Sequence, residues 1–238
     1  MDPITWTYRF ILSGNREQSL EVKVDPEEMR VVDVNRTDLP EWTRLEVNQC
    51  SNCPLDPESS PTCPLAAALV EPIQIFSDVV SYDTLTVEIE SPERTIRQDV
   101  AAQNAVGSLM GLIMATSGCP RTAHFRPMAR FHLPLASQSE TLYRAASRYM
   151  LAQYFRNQAG EEPDLAFEGL SSIYQELEVL NAAMARRVRS AINQDAAVNA
   201  VVVLDFFAKN WAFSIDEHLE EIKSLFQSYI GSDGKENE

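Results

Sequence analysis

Three cysteines sit within one proline-rich, polar segment, and a fourth stands far downstream: Cys50-Ser51-Asn52-Cys53-Pro54, Cys63-Pro64 and Gly118-Cys119-Pro120. Two thiols separated by two residues can grip one ion, because the turn between them aims both sulfurs to the same side. Proline after three of the four fixes φ and removes a backbone donor, which suits a rigid ligand-bearing knuckle. The segment around them, residues 35–64, holds five prolines and no run of alternating or helical hydrophobicity. A stretch that long is uncommon in a compact domain unless something organises it, and a metal would. The spacing therefore predicts Cys50, Cys53 and Cys63 as metal ligands, with Cys119 as the fourth and His124 or His132 as alternatives to it. The expected ion is Zn2+. An iron–sulfur cluster is the alternative, although four cysteines spread over about 70 residues do not match compact ferredoxin spacing. Four reduced, buried cysteines acting as small hydrophobes would be the plain structural explanation.

Compartment bears on that choice. The start, Met1 to Tyr8, has neither a basic region nor an apolar one, so no secretory signal is visible, and no run approaches the ~18 apolar residues needed to cross a bilayer. A cytoplasmic location is expected, where thiols stay reduced and metal sites outnumber disulfides.

The formal net charge of −15 is unevenly spread. Residues 1–98 carry −10, residues 99–156 carry +4 with all six cations arginine, and residues 157–238 carry −9. Such a chain has no general affinity for nucleic acid or an anionic membrane. The basic block is the exception, and Arg121, Arg126 and Arg130 in the segment Cys119–Pro134 are candidate ligands for a small anion. Pairing with the abundant carboxylates of the flanking halves is the competing expectation.

Periodicity separates two halves. Trp6 to Leu12 and Leu20 to Val24 alternate apolar and polar around Ser13-Gly14-Asn15, which predicts a β-hairpin. Val31 to Val34 suggests a third short strand and Leu85 to Glu90 another. Pro64 to Val70 reads as a short helix with proline at its first position and Cys63 at its N-cap. There a thiolate is favoured, whereas Cys119, expected after a helix C-terminus, meets carbonyls that disfavour one. From Asp99 to Ser117 the chain is apolar on nearly every side, as in a buried helix ending at Gly118. Further helices are expected from the Ser137–Glu140 capping box to about Asn157, from Pro163 to about Ile192, from Asp195 to Phe207, and from a second box at Ser214–Glu217 to about Ile230. The expected fold is α+β: an N-terminal antiparallel hairpin or small sheet with a cysteine-rich loop (residues 1–98), then about five helices (99–231), packing as one domain or two, then a flexible tail (232–238).

Four phrases together, Gln49-Cys50-Ser51-Asn52-Cys53-Pro54-Leu55, Thr62-Cys63-Pro64-Leu65, Ser117-Gly118-Cys119-Pro120 and Arg130-Phe131-His132-Leu133-Pro134, resemble an uncharacterised bacterial protein family with a similar cysteine-rich half and a Met-x-x-Phe-His-Leu-Pro phrase. The resemblance covers residues 4 to 135 best. It implies a soluble bacterial setting and carries no catalytic residue onto this chain.

No dinucleotide, P-loop, zinc-protease or nucleophile-elbow motif is present. Asp195, Asn199 and Asp205 share a predicted helix, but Asp195 reads as its N-cap and the other two, six residues apart, point to different faces. No catalytic residue is therefore assigned. The sequence favours a non-enzymatic protein with a structural zinc and a helical half that binds a protein partner or a second copy. The alternative is a small-anion-binding or iron–sulfur redox module.

Overall fold

A computed structural model describes residues 1–32, 37–191, 198–199, 201–202 and 218–231. The fold is α+β. The predicted hairpin forms from β1 (Ile4–Ile11) and β2 (Glu17–Val24), joined through a 3-10 turn in which Gly14 adopts a φ of 73°. A second hairpin, β3 (Thr84–Glu90) with β4 (Thr95–Ala101), completes a four-stranded antiparallel sheet in the order β2-β1-β3-β4. Alternation decides its faces: Trp6, Tyr8, Phe10, Leu20, Val22, Val24, Leu85, Val87 and Ile89 point inward and are buried. The outer face carries charges, including the Arg9–Glu88 pair at 2.7 Å, flanked at 3.6 Å by Glu17 on Arg9 and by Arg97 on Glu88.

β4 escapes the sequence pattern. Its residues Thr-Ile-Arg-Gln-Asp-Val-Ala bury no side chain fully: Ile96, Val100 and Ala101 are half-buried, and of these Val100 packs against the core. The helix expected from Asp99 consequently begins later, as α3 (Ala102–Thr116), with no intervening loop. Its first backbone N–H groups are met by the carbonyls of Asp83 and Ser81, at 2.8 and 3.0 Å from Ala102 N and Gln103 N. Val106, Leu109, Met110 and Ile113 of α3 join the sheet's inner face in one core, and α3 gives way to Gly118 at a φ of 88°.

The helix expected at Pro64 is present as α1 (Pro64–Ala68), with Cys63 at its N-cap, and is followed by an unforeseen α2 (Val70–Ile75). Of the third strand expected at Val31–Val34, the described residues show a single bridge between Val24 and Val31, and residues 33–36 lie outside them. A 3-10 segment (Pro120–Phe125) and α4 (Arg126–Arg130) lead to α5 (Gln138–Gln158). The capping box is complete: Ser137 Oγ accepts from Glu140 N at 3.2 Å, and Glu140 accepts from Ser137 N at 2.7 Å.

α6 (Glu168–Ala191) begins five residues after Pro163, because Asp164 is spent on the turn before it. Asp164 accepts from the backbone of Ala166 and Gly169 and from the Tyr149 hydroxyl. Leu180, Met184 and Val188 of α6 complete the main core, so one core spans both halves, and the boundary expected at residue 98 falls inside β4. The helix expected at 195–207 shows only residues 198–199 and 201–202, which are helical; Asp195, Asp205, the box at Ser214–Glu217 and the tail 232–238 lie outside the described residues. Residues 218–230 are helical, tightening to 3-10 over Ser224–Phe226.

Candidate metal centre: a four-cysteine cavity

The cysteine-rich segment is built as a chain of turns tied down at several points. Leu45 N and Cys63 N donate to the carbonyls of Pro61 and Thr43, which draws the two ends of the segment together. Cys53 N donates to Cys50 O at 3.0 Å, closing the turn that sets the two sulfurs on one side. Gln49 Nε2 donates to Leu55 O at 3.0 Å and fixes the turn's exit. α6 holds the whole segment from outside through Asn52 Nδ2, which donates to Glu176 O at 3.1 Å.

Cys50, Cys53, Cys63 and Cys119 all line one small cavity, on the order of 10 Å3, which is room for about one water- or ion-sized sphere. Its remaining walls are mainly apolar, with Leu45, Leu55, Leu65, Leu180 and Met184 among them. All four are free thiols, Cys63 and Cys119 buried and Cys50 and Cys53 half-buried. The thiols sense one another. Burial pushes the Cys50 thiol up to about 11, and Cys63, Cys119 and Cys53 each add to the rise.

Cys119 sits between two helical elements. It does follow α3, but it is also the N-cap of the Pro120–Phe125 segment. Burial raises its thiol, and the nearby backbone N–H groups of Arg121 and Thr122 oppose that rise without cancelling it. Cys63 and Cys119 thus share one arrangement: a cysteine at an N-cap, with proline in the next position.

Two guanidinium groups line the same cavity. Arg121 donates through Nε to Asn52 O at 2.6 Å and through Nη1 to Glu176 Oε1 at 2.9 Å. Arg187 was not foreseen, and it is the more informative of the two. It is 1% exposed, and it donates to the carbonyls of Trp42, Arg44 and Leu45 at 2.8, 2.6 and 2.7 Å. Among the described residues it has no carboxylate partner, so a full positive charge is buried against neutral groups beside four thiols. The signal for it was in the sequence: Arg187 falls seven residues after Leu180 and three after Met184, on the buried stripe of α6, where a charge has no place without a purpose.

Among the described residues no three His, Cys, Asp or Glu side chains form a ready-made ion cage. The four thiols share a cavity without closing a ligand sphere. Neither candidate histidine lines it. His124 is exposed, and its carbonyl accepts from Arg148 Nη1. His132 packs instead against the sheet, where Nε2 shares a 2.6 Å hydrogen bond with the Tyr8 hydroxyl. Burial, with Arg144 nearby, brings its pKa down to about 3, so the ring is neutral. Of the candidate anion-binding arginines, Arg121 faces Glu176 and Arg130 faces Glu93 at 3.6 Å, while Arg126 Nε is buried without a partner among the described residues.

The fold and the cavity together define an α+β protein with a four-thiol cluster at the junction of its loop-rich and helical parts. The chain belongs to the family described as domain of unknown function DUF6901, whose model matches residues 6–227. No curated protein and no solved structure matches it. Among the described residues, no helix is long and apolar enough to cross a membrane.

Proposed function

We propose that the protein is a non-enzymatic, zinc-stapled scaffold, in which Cys50, Cys53, Cys63 and Cys119 hold one Zn2+ and the helical half presents a surface to a protein partner. The observation that carries this reading is the convergence of four cysteines, from three separate turns, on one ion-sized cavity. The charge balance supports it. A zinc ion with four thiolates carries two negative charges, and two guanidinium groups, Arg121 and Arg187, line the same cavity. The dianion supplies Arg187 with the counter-charge that the described residues lack. Ion binding draws the sulfurs together through side-chain rotation, which the half-buried Cys50 and Cys53 can make most freely.

The partner surface is supported by α5, where Leu151, Tyr154 and Phe155 are each more than half exposed. An iron–sulfur cluster is the second reading for the same four thiols. The small-anion reading is weaker, because Arg121 and Arg130 each face a carboxylate.

Elemental analysis of protein purified without chelators tests the proposal. One zinc per chain is expected, in colourless protein, with the metal lost from both the Cys53→Ser and Cys119→Ser variants. Brown, iron-containing protein selects the cluster instead. Metal-free protein whose Cys53→Ser variant is as stable as the parent removes the metal reading altogether.

A further inference from the structure

A second cavity, of about 450 Å3, lies between α3, the 120–137 segment, α5 and α6. It exists because of the sequence of α3. Gly107, Gly111 and Ala115 recur every four residues, so one stripe of the helix has no side chain longer than a methyl, and Ser108 lies beside it. The walls opposite are mostly apolar, with Phe125, Met128, Leu133 and Leu177 among them. The volume falls within the range of pockets that enclose a small organic molecule.

One wall residue does not fit an apolar void. Asn181 is 0% exposed and lines the cavity, and neither its Oδ1 nor its Nδ2 has a hydrogen-bond partner among the described residues. A buried carboxamide left unpaired is costly, and a leucine of similar volume would avoid that cost. Two other polar groups at this cavity, Ser108 and Arg144, are engaged. Ser108 Oγ accepts from Leu135 N at 3.2 Å and bonds the Tyr8 hydroxyl at 3.3 Å. Arg144 Nη2 donates to the carbonyls of Met128 and Phe131, each at 2.9 Å.

We propose that this cavity binds a small, largely apolar, neutral molecule whose polar edge places a donor beside an acceptor, as in a primary carboxamide or a lactam, with Asn181 as the specificity-determining residue. Such an edge satisfies both ends of the Asn181 carboxamide at once. A carboxylate would be drawn to Arg144, whose Nη2 already donates to two carbonyls, and would set its lone pairs against Asn181 Oδ1. A cation would confront the Arg144 guanidinium that lines the same space. The proposal does not depend on the metal centre.

Saturation-transfer NMR and titration with three shape-matched probes test it: naphthalene-2-carboxamide, naphthalene-2-carboxylate and 2-methylnaphthalene. The carboxamide is expected to bind at least about tenfold more tightly than either of the others, the discrimination one satisfied polar pair supplies. Asn181→Leu should bring the three affinities together and raise the melting temperature of the ligand-free protein. Gly111→Leu, which fills the cavity, should abolish binding of all three. A carboxamide that binds no better than its analogues, an Asn181→Leu protein that melts lower without ligand, or unchanged binding to Gly111→Leu would overturn the proposal. Should Gly111→Leu not fold, the Asn181→Leu comparison decides alone.

Discussion

At the scale of single residues, a buried arginine and a half-buried histidine make the sharpest predictions. Arg187 ties three carbonyls of the 42–45 segment to α6 from a site that excludes water. Arg187→Met leaves those acceptors unpaired and is expected to cost about 3 kcal/mol or more by denaturant unfolding. Arg187→Lys should recover only part of that loss, since one ammonium cannot reproduce the planar fork. His132 gives a pH signature. Its folded pKa of about 3 lies below the ordinary histidine value of 6.5. The unfolded chain therefore binds the proton first, and stability falls as pH drops below about 6.5, by at most about 1.4 kcal/mol per pH unit from this one group. Denaturation midpoints taken between pH 6.5 and 5, above the range where most carboxylates titrate, should show that slope in the parent and not in His132→Gln. An equal slope in both proteins would assign the effect elsewhere.

Elements are held by local chemistry that the sequence displays to different degrees. Ser137→Ala removes one arm of the α5 capping box and should lower stability by about 1 kcal/mol, measured by thermal or denaturant unfolding. That box, the first hairpin and the proline-started α1 were all legible, because each rests on contacts within a few residues. β4 was not. An edge strand whose side chains are at most half-buried looks like a polar loop, and its direct passage into α3 blurs the border between alternating and helical patterns. α6 began later than its proline suggested because Asp164 caps a turn several residues ahead of the helix. The candidate site divides in the same way. The four cysteines were visible as chemistry, and the spacing of Cys50 and Cys53 as geometry. That Cys119 would reach them, and that Arg187 would arrive from a helix nearly seventy residues further on, depends on packing across the core, to which no short window of sequence gives access.

For the whole molecule, the loop-rich segment and the helices meet around the four-thiol cavity. Segment 37–64 has little secondary structure of its own and depends on α1, the 120–125 segment and α6 for its shape. A metal bound there by the folded protein and not by the unfolded chain adds its binding free energy to folding. Removing it with a chelator should therefore lower the melting temperature cooperatively for the sheet, α3 and the C-terminal part of α6, because one core spans them. X-ray absorption at the metal edge of natively purified protein tests this most directly, since it counts the ligand atoms. Zinc with four sulfur neighbours at ~2.3 Å and no nitrogen or oxygen among its ligand atoms is the expected result. Nitrogen or oxygen among the ligand atoms, or protein with no stoichiometric metal to measure, would contradict it.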